Sequence, residues 1–219
     1  MQKFLAILFL SLVVSLSPAH AQLFGKKKPK DYVVTIKTEY GDIVVMCYNV
    51  TPKHKANFLQ LVKEGFYNGT TFHRVIDNFM VQGGDPNSTD ADKTNDGLGG
   101  PGYTIPAEFV DTLTHKYGAL AAARMGDNVN PEKRSSGSQF YIVENKRGTP
   151  HLNKNYTVFG AVIAGMEVVE KIAEQPKDNK DRPLQDIVVS MKVKKMRRDK
   201  ILKKYGACLN LPQAEVIEE

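Results

Sequence analysis

The sequence predicts a mainly β domain, a closed antiparallel barrel or sandwich that carries two α-helices. Short runs rich in β-branched and aromatic residues recur at short spacing along the chain. Only two stretches of the body carry a clear helical period. The strands do not alternate with helices, as a doubly wound sheet would require. A length of 219 residues suits one domain with extensions, and two cysteines exclude a disulfide scaffold or a multi-cysteine zinc module. With 25% charged and 42% hydrophobic residues, the chain is not collagenous, coiled-coil or wholly disordered.

Residues 1–21 (MQKFLAILFLSLVVSLSPAHA) place Lys3 before an apolar run, then Pro18 and the small-x-small triplet Ala19-His20-Ala21. This is the pattern of a secretory signal cleaved before Gln22. The apolar run of about 13 residues is short of the ~20 that span a bilayer. Residues 22–30 form a basic linker with Lys26, Lys27, Lys28 and Lys30. The folded domain is expected over 31–194. Runs at 32–37 (YVVTIK) and 42–48 (DIVVMCY) flank a turn-like TEYG and predict a hairpin. Thr51 and Pro52 offer an N-cap and a first-turn proline; Ala56, Leu59 and Val62 keep helical spacing, with Phe58 and Leu61 widening the stripe, and Gly65 ends it. Strands follow at 71–76, 79–83, 118–124, 138–143 and 157–163, with a Gly/Asp/Asn/Pro-rich loop over 85–107. A second helix is expected at 166–174 and a last strand at 186–193. A charged extension fills 195–219; its first part, 195–205, has a weakly amphipathic helical pattern stopped by Gly206, which reads as a solvated face.

The net charge of +6 suggests an anionic partner until it is located. Residues 22–30 carry +4, residues 191–206 carry +7 and residues 207–219 carry −3, which leaves −3 on residues 31–190. The body therefore has no basic groove to offer, and no nucleic-acid partner is expected. The basic tail leaves a peripheral contact with acidic lipid open. A monomer without a transmembrane segment is expected.

The common catalytic patterns are missing. There is no Gly-x-Ser-x-Gly elbow and no phosphate loop. The glycine-rich 97–102 (GLGGPG) follows a polar loop and reads as a turn. No two histidines have His-x₃-His spacing, so no metal or cofactor is expected. Cys47 sits in a strand without a histidine near it in sequence. Asp85 and Glu108 could form a carboxylate pair, but the sequence does not fix their separation. Export would permit a disulfide between Cys47 and Cys208, and the sequence leaves that pairing open.

One constellation stands out. Residues 72–85 read FHRVIDNFMVQGGD and 136–142 read SGSQFYI; His151, Leu152 and Tyr156 follow, with VFG at 158–160. By the two-residue strand period, Phe72, Arg74 and Ile76 share a face. Met80 and Gln82 share another, opposite Val81, and so do Gln139 and Tyr141, opposite Phe140. Here the sequence resembles the cyclophilins, whose two most characteristic stretches it matches nearly residue for residue; the likeness runs over about 31–194. The resemblance implies an eight-stranded antiparallel barrel capped by two helices, and peptidyl-prolyl cis/trans isomerase activity on proline-containing polypeptides. It implies that Arg74 is the catalytic arginine, that Phe79, Met80, Tyr141 and Leu152 line a proline pocket, and that Gln82 holds the peptide backbone and helps fix Arg74. Ala123, Arg124 and Gln139 would lie along the substrate groove with His73 near, and His151 and Tyr156 on its rim.

The chain departs from the family pattern at Tyr141, where many members have phenylalanine, and at Arg124, where an asparagine is usual. Tyr156 replaces a histidine. His151 stands where cyclosporin-sensitive members carry tryptophan, and this chain has no tryptophan. Isomerase activity with weak cyclosporin A binding is expected: sub-micromolar inhibition of the wild type would contradict this, and His151→Trp should tighten binding in the same titration. The main rival reading is a module that holds proline segments without useful catalysis; another is a scaffold whose basic tail does the essential work.

Overall fold

The computed structural model describes residues 28–207 and 209. The signal segment and Cys208 lie outside the described residues. β1 (Lys30–Thr38) and β2 (Gly41–Cys47) form the expected hairpin. α1 (Pro52–Glu64) follows and ends where Gly65 turns left-handed at φ 75°, its N–H and that of Phe66 closing on the last-turn carbonyls of Val62 and Leu61. Then come β3 (Phe72–Ile76), β4 (Met80–Gly83), β5 (Thr104–Ile105), β6 (Ala119–Ala122), β7 (Ser135–Ser136), β8 (Phe140–Val143), β9 (Val158–Ala164), α2 (Met166–Ala173), β10 (Ser190–Arg197) and α3 (Arg198–Tyr205).

Eight strands make one antiparallel sheet in the order β10-β1-β2-β9-β6-β8-β4-β3, and β5 pairs with β7 apart from it. The sheet curls round its core as a half-barrel. The expected closed ladder is replaced by a short seam: a bridge between Thr71 and Val188, with Gly69 N–H donating to Val189 O (2.9 Å) and Phe72 N–H to Ile187 O (3.0 Å). Beyond that seam, Val75 N–H donates to Asp181 O (2.8 Å) and Lys177 Nζ donates to Val75 O (3.1 Å), so the 177–183 loop covers the free edge of β3.

Inside the curl lies the main core. Val34, Ile36, Val45, Phe72, Val81, Phe140 and Ile142 point inward from the strands, Phe58 and Leu61 come from α1, and Val169 and Ile172 from α2. Phe58 sits between Tyr67, Phe140 and Phe159 at ring separations of 5.5, 5.8 and 5.5 Å.

The tail departs from its expected solvated state. β10 runs to Arg197, pairing Met196 with Asp31 and Arg197 with Lys30, and α3 then folds over the outer face of the sheet. Ile201 is 0% exposed against Val33, Val44, Met46 and Ile163. Both faces of β2 are thereby covered, which accounts for its unbroken run of apolar residues. Trimming Ile201 to Val should cost about 1 kcal/mol. An unchanged urea midpoint would show that α3 does not contribute to the fold.

Candidate active site

The site begins with an irregularity. β3 and β4 pair with a register shift between Phe72 and Arg74. A bulge there inserts a residue and reverses the alternation. Phe72 and Val75 therefore enter the main core, whereas Arg74 and Ile76 face the other side. The expected common face for Phe72, Arg74 and Ile76 does not form. The alternation on the neighbouring strands does: Val81 and Phe140 point to the core, Met80 and Tyr141 away from it.

That outward side of β3, β4, β8 and β6 carries a cavity of about 620 Å³. Met80, Phe79, Leu152 and Tyr141 give it apolar walls, joined by Ala123 and Tyr156; Arg74, His73, Gln82 and Arg124 complete the expected members. Two of the twelve expected residues lie elsewhere. Gln139 lines a neighbouring groove shared by Gln82, Ala123 and Arg124. His151 is exposed and stacks on Phe79 at 6.0 Å, outside the cavity itself. The opposite wall, including Leu98, Lys180 and Arg182, was not foreseen: Leu98 lies in the glycine-rich stretch, and the 178–182 loop carries no pattern of its own.

The amides of the site are linked to the glycine-rich stretch. The Gln82 amide donates to Gln139 Oε1 (3.0 Å), and Gln139 Nε2 donates to the carbonyls of Gly97 (2.9 Å) and Gly99 (2.8 Å). Asp85 accepts from the N–H groups of Gly97 and Gly99, so the glycine-rich stretch is a pinned wall rather than a loose turn. A side chain on Gly99 would meet Asp85 Oδ1 at 2.1 Å, which only glycine avoids. Arg74 is a cross-strand partner of Gln82, and its guanidinium, 41% exposed, stands 3.8 Å from Asp181. The hydrogen bond of Gln82 goes to Gln139, so Asp181 is the acid beside Arg74. Arg124 is spent internally: it bonds Asn155 O and Asp127, and its guanidinium lies 4.6 Å from the centre of the Tyr156 ring.

Tyr141 buries a hydroxyl that needs a partner, and His115 supplies it at 2.9 Å through Nε2. His115 Nδ1 lies 2.9 Å from Asn153 Oδ1, which also accepts the His115 backbone N–H. Since Asn153 Oδ1 only accepts, Nδ1 carries the proton and Nε2 receives the Tyr141 O–H. Burial holds His115 below the usual histidine range and keeps it neutral. The sequence reading missed both partners, since they meet Tyr141 only through the fold. Tyr141→Phe would strand Nε2 and should lower stability by about 1 kcal/mol with little change in kcat/KM. A denaturation curve matching wild type would refute that bond.

A second chain of bonds resembles a nucleophile relay. Ser135 Oγ lies 2.9 Å from His54 Nε2, and His54 Nδ1 lies 2.7 Å from Glu108 Oε2. Ser135 is 1% exposed, so no substrate reaches it. Glu108 accepts the backbone N–H groups of Lys53 (3.1 Å) and His54 (3.0 Å), capping α1 where Thr51 makes no side-chain cap bond. Asp85 and Glu108 thus serve separate structural networks and are not a carboxylate pair. Burial pushes the Cys47 thiol up to about 12, which leaves it without thiolate character.

The cavity thus sets the half-exposed Arg74 beside an apolar wall of Phe79, Met80, Leu152 and Tyr141, with the charged Lys180 and Arg182 across from it. Residues 33–193 match the family model for cyclophilin type peptidyl-prolyl cis-trans isomerases. A peptidyl-prolyl cis-trans isomerase of Staphylococcus aureus is 34% identical over 200 residues, which cover 78% of this chain and 95% of that protein. A bifunctional phosphatase/peptidyl-prolyl cis-trans isomerase of Streptococcus pyogenes serotype M6 is 36% identical over 187 residues, 71% of this chain but 37% of that longer protein. The crystal structure of a Cryptosporidium parvum cyclophilin type isomerase superposes with a TM-score of 0.65 at 31% identity, covering 76% of this chain and 98% of that one. The same protein in the presence of the dipeptide Ala-Pro gives a TM-score of 0.64 at 31% identity, covering 74% and 98%. The chain belongs to the cyclophilin-type peptidyl-prolyl cis-trans isomerase family.

Proposed function

We propose that this peptidyl-prolyl cis-trans isomerase speeds X–Pro isomerisation during the folding of exported proteins, with Arg74 as its catalytic residue. The reaction breaks no covalent bond. Its barrier of ~18–20 kcal/mol is the amide resonance lost on twisting the C–N bond. The catalyst must favour the twisted state, in which the prolyl nitrogen becomes pyramidal and basic. A guanidinium aimed at that nitrogen or the adjoining carbonyl does this without proton transfer. Phe79, Met80, Leu152 and Tyr141 hold the pyrrolidine ring while the chain before it turns. Gln82, oriented by Gln139, holds the peptide backbone; Ala123 and Tyr156 bound the groove, His151 extends it through Phe79, and His73 and Arg124 support its walls.

The observation that carries this reading is the bulge that turns Arg74 out of the core and onto the wall of that cavity. The Ala-Pro dipeptide named for the C. parvum relative fits the same substrate class. The arrangement proposed for the whole chain is a signal at 1–21 cleaved before Gln22, a basic linker at 22–30, the isomerase domain at 31–194 and the extension at 195–219, acting as a monomer in the periplasm or outside the cell. Among the described residues no helix is long and apolar enough to cross a membrane. A protease-coupled assay over a panel of X–Pro peptides tests the activity. Acceleration of the cis-to-trans phase supports it; tight binding of the peptides with no acceleration would identify a holding module instead.

A further inference from the structure

The fold brings Lys28 and Lys30 against the basic segment at 191–206 on one surface. β1 and β10 pair so that Lys30 faces Arg197, Arg198 N–H donates to Pro29 O (3.0 Å), and Lys28 Nζ reaches Asp199 at 3.1 Å. Lys28 and Lys30 therefore stand beside the segment carrying +7, on a body of −3. α3 is not free to turn, because Ile201 anchors it to the outer sheet face and leaves Lys200, Lys203 and Lys204 exposed. On β10, Lys194 pairs with Val33, whose side chain belongs to that same outer face, and Lys192 lies two residues before it; both are exposed. Asp199 sits among them, but Arg197 and Lys28 hold its carboxyl well below the usual range, and their bonds to it occupy it.

We propose that this surface, formed by α3, the outer face of β10 and the start of β1, docks the protein on an anionic lipid bilayer. Four to eight lysines and arginines held together suffice for such attraction. Lysines are hydrated point charges on flexible stems, and here they stand on a convex helix and a strand face. That suits a broad sheet of charged headgroups better than a single bound phosphate. Single-stranded nucleic acid would want open stacking platforms between the charges, whereas the tyrosines here, Tyr32 and Tyr205, are half-buried against the core and already covered by Lys195 and Lys204. An acidic protein partner would want a wider apolar anchor than α3 offers, since Ile201 is buried and Leu202 is its one exposed aliphatic side chain. The catalytic cavity is on the β6-β8-β4-β3 half of the sheet and the lysines are on the β10-β1-β2-β9 half, so a docked molecule keeps its cavity free for peptide.

The test is sedimentation of the protein beginning at Gln22, without the apolar leader, with vesicles of phosphatidylcholine alone or with about three parts in ten phosphatidylglycerol. Binding is expected to the anionic vesicles only and to weaken steeply between about 0.1 and 0.5 M salt. The variant Lys200→Glu/Lys203→Glu/Lys204→Glu should bind at least about a hundredfold more weakly. Its rate on a soluble X–Pro peptide should equal wild type, which shows it folded and separates this proposal from the isomerase assignment. Lys192→Glu/Lys194→Glu, on the strand, should weaken binding in the same way and serves if the helix variant is unstable. Equal binding to neutral vesicles, unchanged binding by both variants, or retention by an oligonucleotide or poly-glutamate but not by anionic vesicles would overturn the proposal.

Discussion

Replacing Arg74 with alanine lowers kcat/KM on a soluble X–Pro peptide by at least about tenfold, about 1.4 kcal/mol of transition-state stabilisation. The upper end is set by other pre-organised donors, whose loss costs roughly a hundred- to a thousandfold. The loss should fall on kcat more than on KM, because the apolar walls that hold the proline ring remain. Arg74→Lys should recover only part of it: an ammonium keeps the charge but not the planar fork. The Arg74 side chain is 41% exposed, so the alanine variant should melt near the wild-type temperature. A folded Arg74→Ala protein with an unchanged rate would remove Arg74 from its role.

Acidification between pH 6.5 and about 4 should remove roughly 3 kcal/mol of stability through His73 alone. His73 is 5% exposed, and burial lowers its pKa from 6.5 to about 4 against the pull of Asp85. Its folded pKa is thus depressed below the unfolded value. Above pH 6.5 both states are neutral and nothing is lost. As the pH falls through 6.5 the unfolded chain takes up a proton that the folded one refuses, and the loss is complete near pH 4. His54 and His115, also lowered by burial, act in the same direction. Asp96 and Glu144, raised by burial, act in the opposite one. The measurement is melting temperature against pH for wild type and His73→Asn. The variant should be less steep over that window, whatever its absolute stability, and parallel profiles would show that His73 is not a buried neutral group.

How much was legible followed from how local each cause was. The strand period placed Met80 and Tyr141 on one side and Val81 and Phe140 on the other because side-chain alternation needs nothing beyond the strand itself. The same rule failed at Phe72 and Arg74, where the bulge depends on which residue of β4 lies opposite. The glycine-rich 97–102 stretch looked like a loose turn because its restraints, Asp85 and Gln139, come from distant positions. The tail looked solvated because its apolar set is thin; Ile201 matters only once Val33, Val44, Met46 and Ile163 form a patch for it. The partner of Tyr141 was unreadable for the same reason, being 26 positions away on a loop.

The sequence by itself determined that the chain is mainly β, with one helix running from Pro52 to Gly65 and another expected over 166–174, and that its body is acidic between two basic ends. These are properties of composition and short-range period, which a linear chain already contains; the part expected of Arg74 came from the resemblance to the cyclophilins. Only the tertiary structure decided that Arg74 faces the cavity, that the 177–183 loop covers the free edge of β3, and that Lys28 and Lys30 share one surface with α3. Each of those depends on strand register and on which distant segment covers which face, and pairing energies of that kind exist only once the chain has folded.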